Sequence, residues 1–202
     1  MTQTSLLAMF SFSLIMSLTP GPVILMIVTS GVNYGFRKTF SFISGATIGF
    51  ITLLILMALG LSQIYTFYSD FFRFVELLGV CFICYMGYNI AVSKATLEVD
   101  NNNKKYLKFH EGFLFQWLNP KAWIAALSGT SMFSETTSAL TIFIVLYFFV
   151  AYLSLSFWGL LGKKLRKIFS NQKILKIFNI LMGSILIFTG LSMLLTNLQK
   201  LI

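Results

Sequence analysis

Leu14-Ile15-Met16-Ser17-Leu18-Thr19-Pro20-Gly21-Pro22-Val23-Ile24-Leu25 decides the fold. The stretch lies inside an apolar run long enough to cross a bilayer, yet two prolines and a glycine stand at its middle. Proline has no N–H, and its ring collides with the preceding turn, so it breaks a helix interior. It also drives the residue before it out of the helical region. The run therefore reads as two half-helices, with Thr19 as N-cap and Pro20 as the first residue of the second. Asn119-Pro120-Lys121 repeats the arrangement in the other half of the chain. In a bilayer such breaks survive only where protein or water covers the freed backbone groups.

Outward from this stretch the chain is 57% hydrophobic and only 10% charged over 202 residues. A soluble domain carries roughly 25% charge, so lipid must be the solvent for most of this chain. A spanning helix needs about 20 apolar residues, and six segments meet that length: 6–30, 40–61, 71–92, 112–133, 139–161 and 174–195. The expected fold is an all-α integral membrane protein of six transmembrane helices. The N-terminal residues carry no Lys or Arg, so the first run is expected to be a retained helix and not a cleaved signal. The net charge of +9 does not call for nucleic acid, because the cations sit in short gaps between apolar runs.

Those cations set an orientation. Arg37 and Lys38 lie in the first gap, Lys94, Lys104, Lys105 and Lys108 in the third, and Lys163, Lys164, Arg166, Lys167, Lys173 and Lys176 at the fifth. The even gap and the termini hold only Arg73 and Lys200. The positive-inside rule puts the odd gaps in the cytoplasm and both termini in the periplasm. Lys121 remains, inside a span.

The halves resemble each other. Thr19-Pro20 corresponds to Asn119-Pro120, Leu78-Gly79 to Met182-Gly183, and Gly87 to Gly190. One transmembrane domain, 1–202, is expected, with repeat one at about 1–93, a polar linker at about 94–110 and repeat two at about 111–202. Three spans per half force the halves to run in opposite directions, an inverted repeat of the kind secondary transporters use. Half-helix starts carry open N–H groups and partial positive charge, and Lys121 adds a full charge. The expected binding set is Thr19, Pro20, Gly21, Pro22, Asn119, Pro120 and Lys121. Its donors suit a carboxylate, while open carbonyls at Ser17, Leu18 and Leu118 suit an ammonium group, so an amino acid fits.

At these residues the chain resembles the LysE/RhtB family of amino-acid exporters. The family's T-P-G-P stands as Thr19-Pro20-Gly21-Pro22. Gly31, Gly35, Arg37, Gly45, Gly49 and Gly60-Leu61 follow its glycine pattern. Gly79-Val80-Cys81-Phe82-Ile83-Cys84-Tyr85-Met86-Gly87 matches its third helix, and Gly112 to Trp123, with Asn119-Pro120-Lys121-Ala122, its fourth. The resemblance implies a secondary exporter of small amino acids or related metabolites in a bacterial inner membrane, driven by the proton gradient as an antiporter. It leans toward members that export cysteine, O-acetylserine or neutral amino acids. One departure is Val23, where the family commonly has Asn.

The remaining residues add little chemistry. Cys81 and Cys84 form a C-x-x-C inside an apolar helix with no second pair and no nearby His, so no metal is expected. Gly45-x-x-x-Gly49 suits close helix packing. His110–Glu111 and Glu76 are the titratable candidates for coupling, each more simply read as a solvated end group. A membrane-embedded enzyme would need a convergent acid–base or metal set, and no such set, catalytic residue or cofactor motif is present. An accessory membrane subunit would not need paired broken helices. The expected partners are a small-molecule substrate and the lipid bilayer, with a homo-oligomer left open.

Overall fold

The computed structural model describes residues 2–61, 69–92, 106–166 and 171–199, and every regular element among them is helical. The polar stretch 101–105, Lys94, Lys167 and Lys200 lie outside the described residues, as do the side chains of Arg73 and Glu76. The chain runs α1 (Gln3–Leu18), α2 (Pro22–Tyr34), α3 (Phe36–Leu56) and α4 (Ser69–Ala91), then α5 (Phe109–Trp117), α6 (Pro120–Phe133), α7 (Thr137–Leu165) and α8 (Gln172–Gln199). Threonines start two of these helices. Thr2 Oγ1 accepts the Ser5 N–H at 3.2 Å, and Thr136 Oγ1 accepts the Ala139 N–H at 3.1 Å, each satisfying an orphan donor of the first turn.

The first break differs in detail from the sequence expectation. Thr19 ends α1 and does not start α2: its N–H and its hydroxyl both donate to the Ile15 carbonyl, at 2.9 and 2.6 Å. The second half-helix begins at Pro22, not Pro20, with Gly21 as its N-cap. The reason is the second proline. Pro22 excludes its predecessor from helical torsions, and Gly21 is extended at φ −161°, ψ −178°. Pro22 then occupies the first helical position, where a missing N–H costs nothing. The axes of α1 and α2 differ by 59°. In the other half, Asn119 is the N-cap and Pro120 opens α6.

The first gap is also shorter than expected. Helix continues through Tyr34, and α3 starts at Phe36, so Gly35 alone makes the turn with φ +81°. That torsion is open to glycine and strained for other residues. At its far end α3 widens into a π-helical turn, Met57–Leu61.

Among the described residues three helices are long and apolar enough to cross a membrane: α3 with its extension (Phe36–Gly60), α7, and α8 over Gln172–Ser192. They become four when the bent pair α1–α2 counts as one span. The 25 residues of the first rise about 38 Å, more than the roughly 30 Å hydrocarbon thickness. Leu153 and Phe188 are 72% and 73% exposed, which suits contact with lipid. The chain is a multi-pass integral membrane protein.

Packing depends on glycine where backbones touch. A Cβ on Gly45 would collide with the Phe109 carbonyl, one on Gly49 would crowd Phe113, and one on Gly112 would strike Phe42, so α3 and α5 meet main chain to main chain. Gly31 of α2 faces Gly159 and Gly162 of α7 in the same way. Helices α4 and α8 run antiparallel, with Gly183 against Gly87 and Ala91, and Gly190 against Cys84 and Val80. Two apolar clusters fill the interior. One gathers Met9, Phe50, Ala122, Phe133, Phe143 and Tyr147. The other gathers Val23, Ile24, Phe42, Ile83, Phe115 and Leu155.

Candidate functional site

Where these two clusters meet, the breaks of α1–α2 and α5–α6 come together around a cavity of about 60 Å³. One water needs roughly 10–15 Å³ by this measure, so the space takes about four to six water-sized groups, the scale of a small metabolite. Of the residues expected from sequence, Thr19, Gly21, Asn119 and Lys121 line it. Pro20, Pro22 and Pro120 are not in the lining. They shape the wall by ending and starting the helices that carry it.

Lys121 joins the two halves. Its ammonium donates to the Thr19 carbonyl at 2.5 Å, 102 residues away in sequence. That carbonyl belongs to the C-terminal end of α1, where a cation is favoured by the orphan acceptors and the helix dipole. The lysine stem lies over Gly21: a Cβ there would stand 3.3 Å from Lys121 Cδ and 3.6 Å from Nζ. The conformation of Lys121 thus depends on the missing side chain at Gly21.

Asn119 organises the second break. It is buried, its Oδ1 accepts the Lys121 N–H at 3.2 Å, and its Nδ2 reaches Gln116 Oε1 at 3.4 Å. Trp123 Nε1 donates to the Trp117 carbonyl at 2.7 Å, bracing α5 against α6 across the break. At the first break, Gly21 offers no side-chain cap, and Val23 and Ile24 of the first turn of α2 line the cavity.

Several lining residues were not singled out by sequence. Phe50 comes from α3, Tyr147, Ala151 and Leu155 from α7, and Met16 and the Ser17 side chain from α1. Tyr147 is 3% exposed, with its ring centroid 4.6 Å from that of Phe50, and it lines the cavity together with Ser17. The same span also holds Thr141, Tyr152, Ser154 and Ser156, so nothing local in the sequence set Tyr147 apart. The coupling candidates lie elsewhere. Glu111 Oε2 accepts the Lys108 N–H at 2.6 Å as a helix cap, and neither Glu111 nor His110 lines the cavity. Cys81 and Cys84 are free thiols on α4, away from the lining.

Chemically, the cavity offers one fixed cation, amide and hydroxyl groups, and an aromatic and aliphatic wall. It combines a few placed polar groups with apolar surface, as small-molecule sites do. Among known proteins, the cysteine/O-acetylserine efflux proteins of Escherichia coli (strain K12) and Shigella sonnei (strain Ss046) are each 27% identical to it over 134 residues, 66% of this chain and 67% of theirs. No solved structure matches it. The LysE type translocator family profile matches residues 14–197, nearly the whole chain. The chain belongs to the LysE type translocator family.

Proposed function

We propose that this chain is a secondary exporter of small amino acids or related metabolites, and not an enzyme. It moves them from the cytoplasm across a bacterial inner membrane by antiport against protons. In this reading six spans form two inverted three-helix repeats, 1–93 and 111–202, joined by the linker 94–110. The first and fourth spans are the broken ones, α1–α2 and α5–α6. The observation that carries the reading is the convergence of both breaks on one cavity that Lys121 enters. The antiparallel contact of α4 with α8, the third helix of each half, supports the inverted arrangement. The relatives' function as cysteine/O-acetylserine efflux proteins supports the substrate class.

The physical scheme follows from the site. Lys121 leaves the Thr19 carbonyl to pair with a substrate carboxylate, a charge-assisted contact stronger than a neutral one. The N-terminal end of α2, which lacks a side-chain cap, adds backbone donors and positive dipole. Freed from Lys121, the carbonyl end of α1 can accept from the ammonium group. Rocking of one repeat against the other opens the cavity to either side of the membrane.

The test is metabolite profiling of the medium around cells that overexpress or lack the protein. One small amino acid or close derivative should accumulate outside with overexpression and be retained on deletion, and a protonophore should collapse the difference. Identical media in the two strains, with the protein present in the membrane, would refute export. Efflux that persists undiminished with the protonophore would refute proton coupling alone.

A further inference from the structure

The cavity has a second pole that the motifs do not announce. Tyr147 is held in place by its ring, with Phe50 at 4.6 Å, Phe143 at 5.5 Å and Phe12 at 6.3 Å between centroids. Tyr147 and Ser17 both line the cavity. Ser17 lies two residues before Thr19, whose carbonyl holds Lys121. Ser17, Thr19, Lys121 and Tyr147 line the same small cavity, so the two ends of one small molecule can meet different members of the set.

We propose that the Tyr147 hydroxyl, with Ser17, binds the ammonium group of the substrate, so that the site selects zwitterions with short uncharged side chains over dibasic amino acids. The proposal rests on reading this cavity as an amino-acid site. The phenol oxygen accepts an N–H from the ammonium with a lone pair, and the Ser17 hydroxyl oxygen can accept another. Phe50, tilted against the Tyr147 ring at 55°, offers a π-face to the same cation. Lys121 takes the carboxylate at the other pole, and the substrate side chain is left among Met16, Ala122, Ala125 and Ala151. These are apolar, and no Asp or Glu is among the described residues of the lining. A second ammonium on the side chain would be buried there without a counter-charge, which is costly. The small volume excludes long side chains independently.

The experiment measures binding to the full chain purified in detergent, by titration calorimetry. The probes are L-cysteine and L-serine, their deaminated counterparts 3-mercaptopropionate and 3-hydroxypropionate, and L-lysine. Wild type should bind at least one of the neutral amino acids, prefer it to its deaminated counterpart by roughly tenfold or more, and bind lysine more weakly still. Tyr147→Phe keeps the ring packing and should lower affinity for the amino acid roughly tenfold to hundredfold. Its affinity for the deaminated acid should stay unchanged, so that the preference collapses toward one. Should Tyr147→Phe fail to fold, Ser17→Ala is titrated with the same probes. An unchanged preference in the variant overturns the proposal, as does an equal loss for both members of a pair, which would mean that Tyr147 only supports the wall. Lysine bound as tightly as the neutral amino acid overturns the selectivity. If wild type binds neither cysteine nor serine, the small-amino-acid reading of the cavity falls first, and the proposal with it.

Discussion

At the scale of the residue, Lys121 is the cation that the membrane makes expensive. A lysine at the centre of a span costs about 3 kcal/mol on insertion scales and less near an interface. Its bond to the Thr19 carbonyl offsets part of that cost and ties the two halves at one point. Lys121→Met keeps the stem but removes the charge. Export should fall roughly tenfold or more, the loss expected for a hydrogen bond to a charged group, while the amount of protein in the membrane holds or rises. Lys121→Arg retains the charge with different geometry and should keep part of the activity. Efflux rates at matched membrane levels check both, and a wild-type rate for the Met variant would leave the lysine as a helix tie only. Lys121 was legible in sequence because a charge in an apolar run demands a reason. Tyr147 was not, because a tyrosine in a phenylalanine-rich chain carries no sign of where its hydroxyl points. Val23, where the family commonly has Asn, proves to be a lining residue. With valine there, the side-chain amides among the described lining residues are those of Gln116 and Asn119 in the other half.

At the scale of the element, the two breaks are built differently and should respond differently. Two prolines guard the first, Pro22 fixing the start of α2 and Pro20 blocking any extension of α1. One proline guards the second, with the Asn119 cap beside it. An interior proline costs a helix about 3 kcal/mol, so removing the only one lets α5 run toward α6. Pro120→Ala should therefore impair export more than Pro20→Ala or Pro22→Ala alone, and the double change Pro20→Ala/Pro22→Ala should match it. Transport assays on the four variants at equal membrane levels check this order. Equal activity in all four would mean that the breaks are dispensable. The helix seams give a stability prediction. Gly45→Val forces a branched side chain into the Phe109 carbonyl and should destabilise the bundle by at least the 1–3 kcal/mol typical of overpacking. It should lower the unfolding temperature in detergent, whereas Ile48→Val, on an exposed position of the same helix, should not.

At the scale of the whole molecule, the basic gaps meet at one end. Lys38 Nζ lies 5.2 Å from the Tyr106 ring centroid, which connects the first gap to the third. Arg166 Nη1 would stand 3.5 Å from a Cβ on Gly35, which connects the first gap to the fifth. Twelve of the 15 Lys and Arg residues belong to these three gaps and the start of the sixth span, so the positive-inside rule predicts a cytoplasmic placement for this end. A cysteine at position 102, in a chain lacking Cys81 and Cys84, should resist an impermeant thiol reagent in intact cells and react once the membrane is opened. Labelling in intact cells would invert the topology. By itself the sequence determined the solvent, the helical class and the family, because apolar run length, composition and motif spacing are properties of the chain read locally. The exact start of α2 followed from the second proline and not the first. Only the tertiary structure decided that the breaks meet, that Lys121 reaches across to Thr19, and that α7 supplies Tyr147 to the cavity wall. Those facts depend on which glycine faces let backbones touch. Which helices close on each other is set by steric fit between segments far apart in sequence, and no local pattern encodes it.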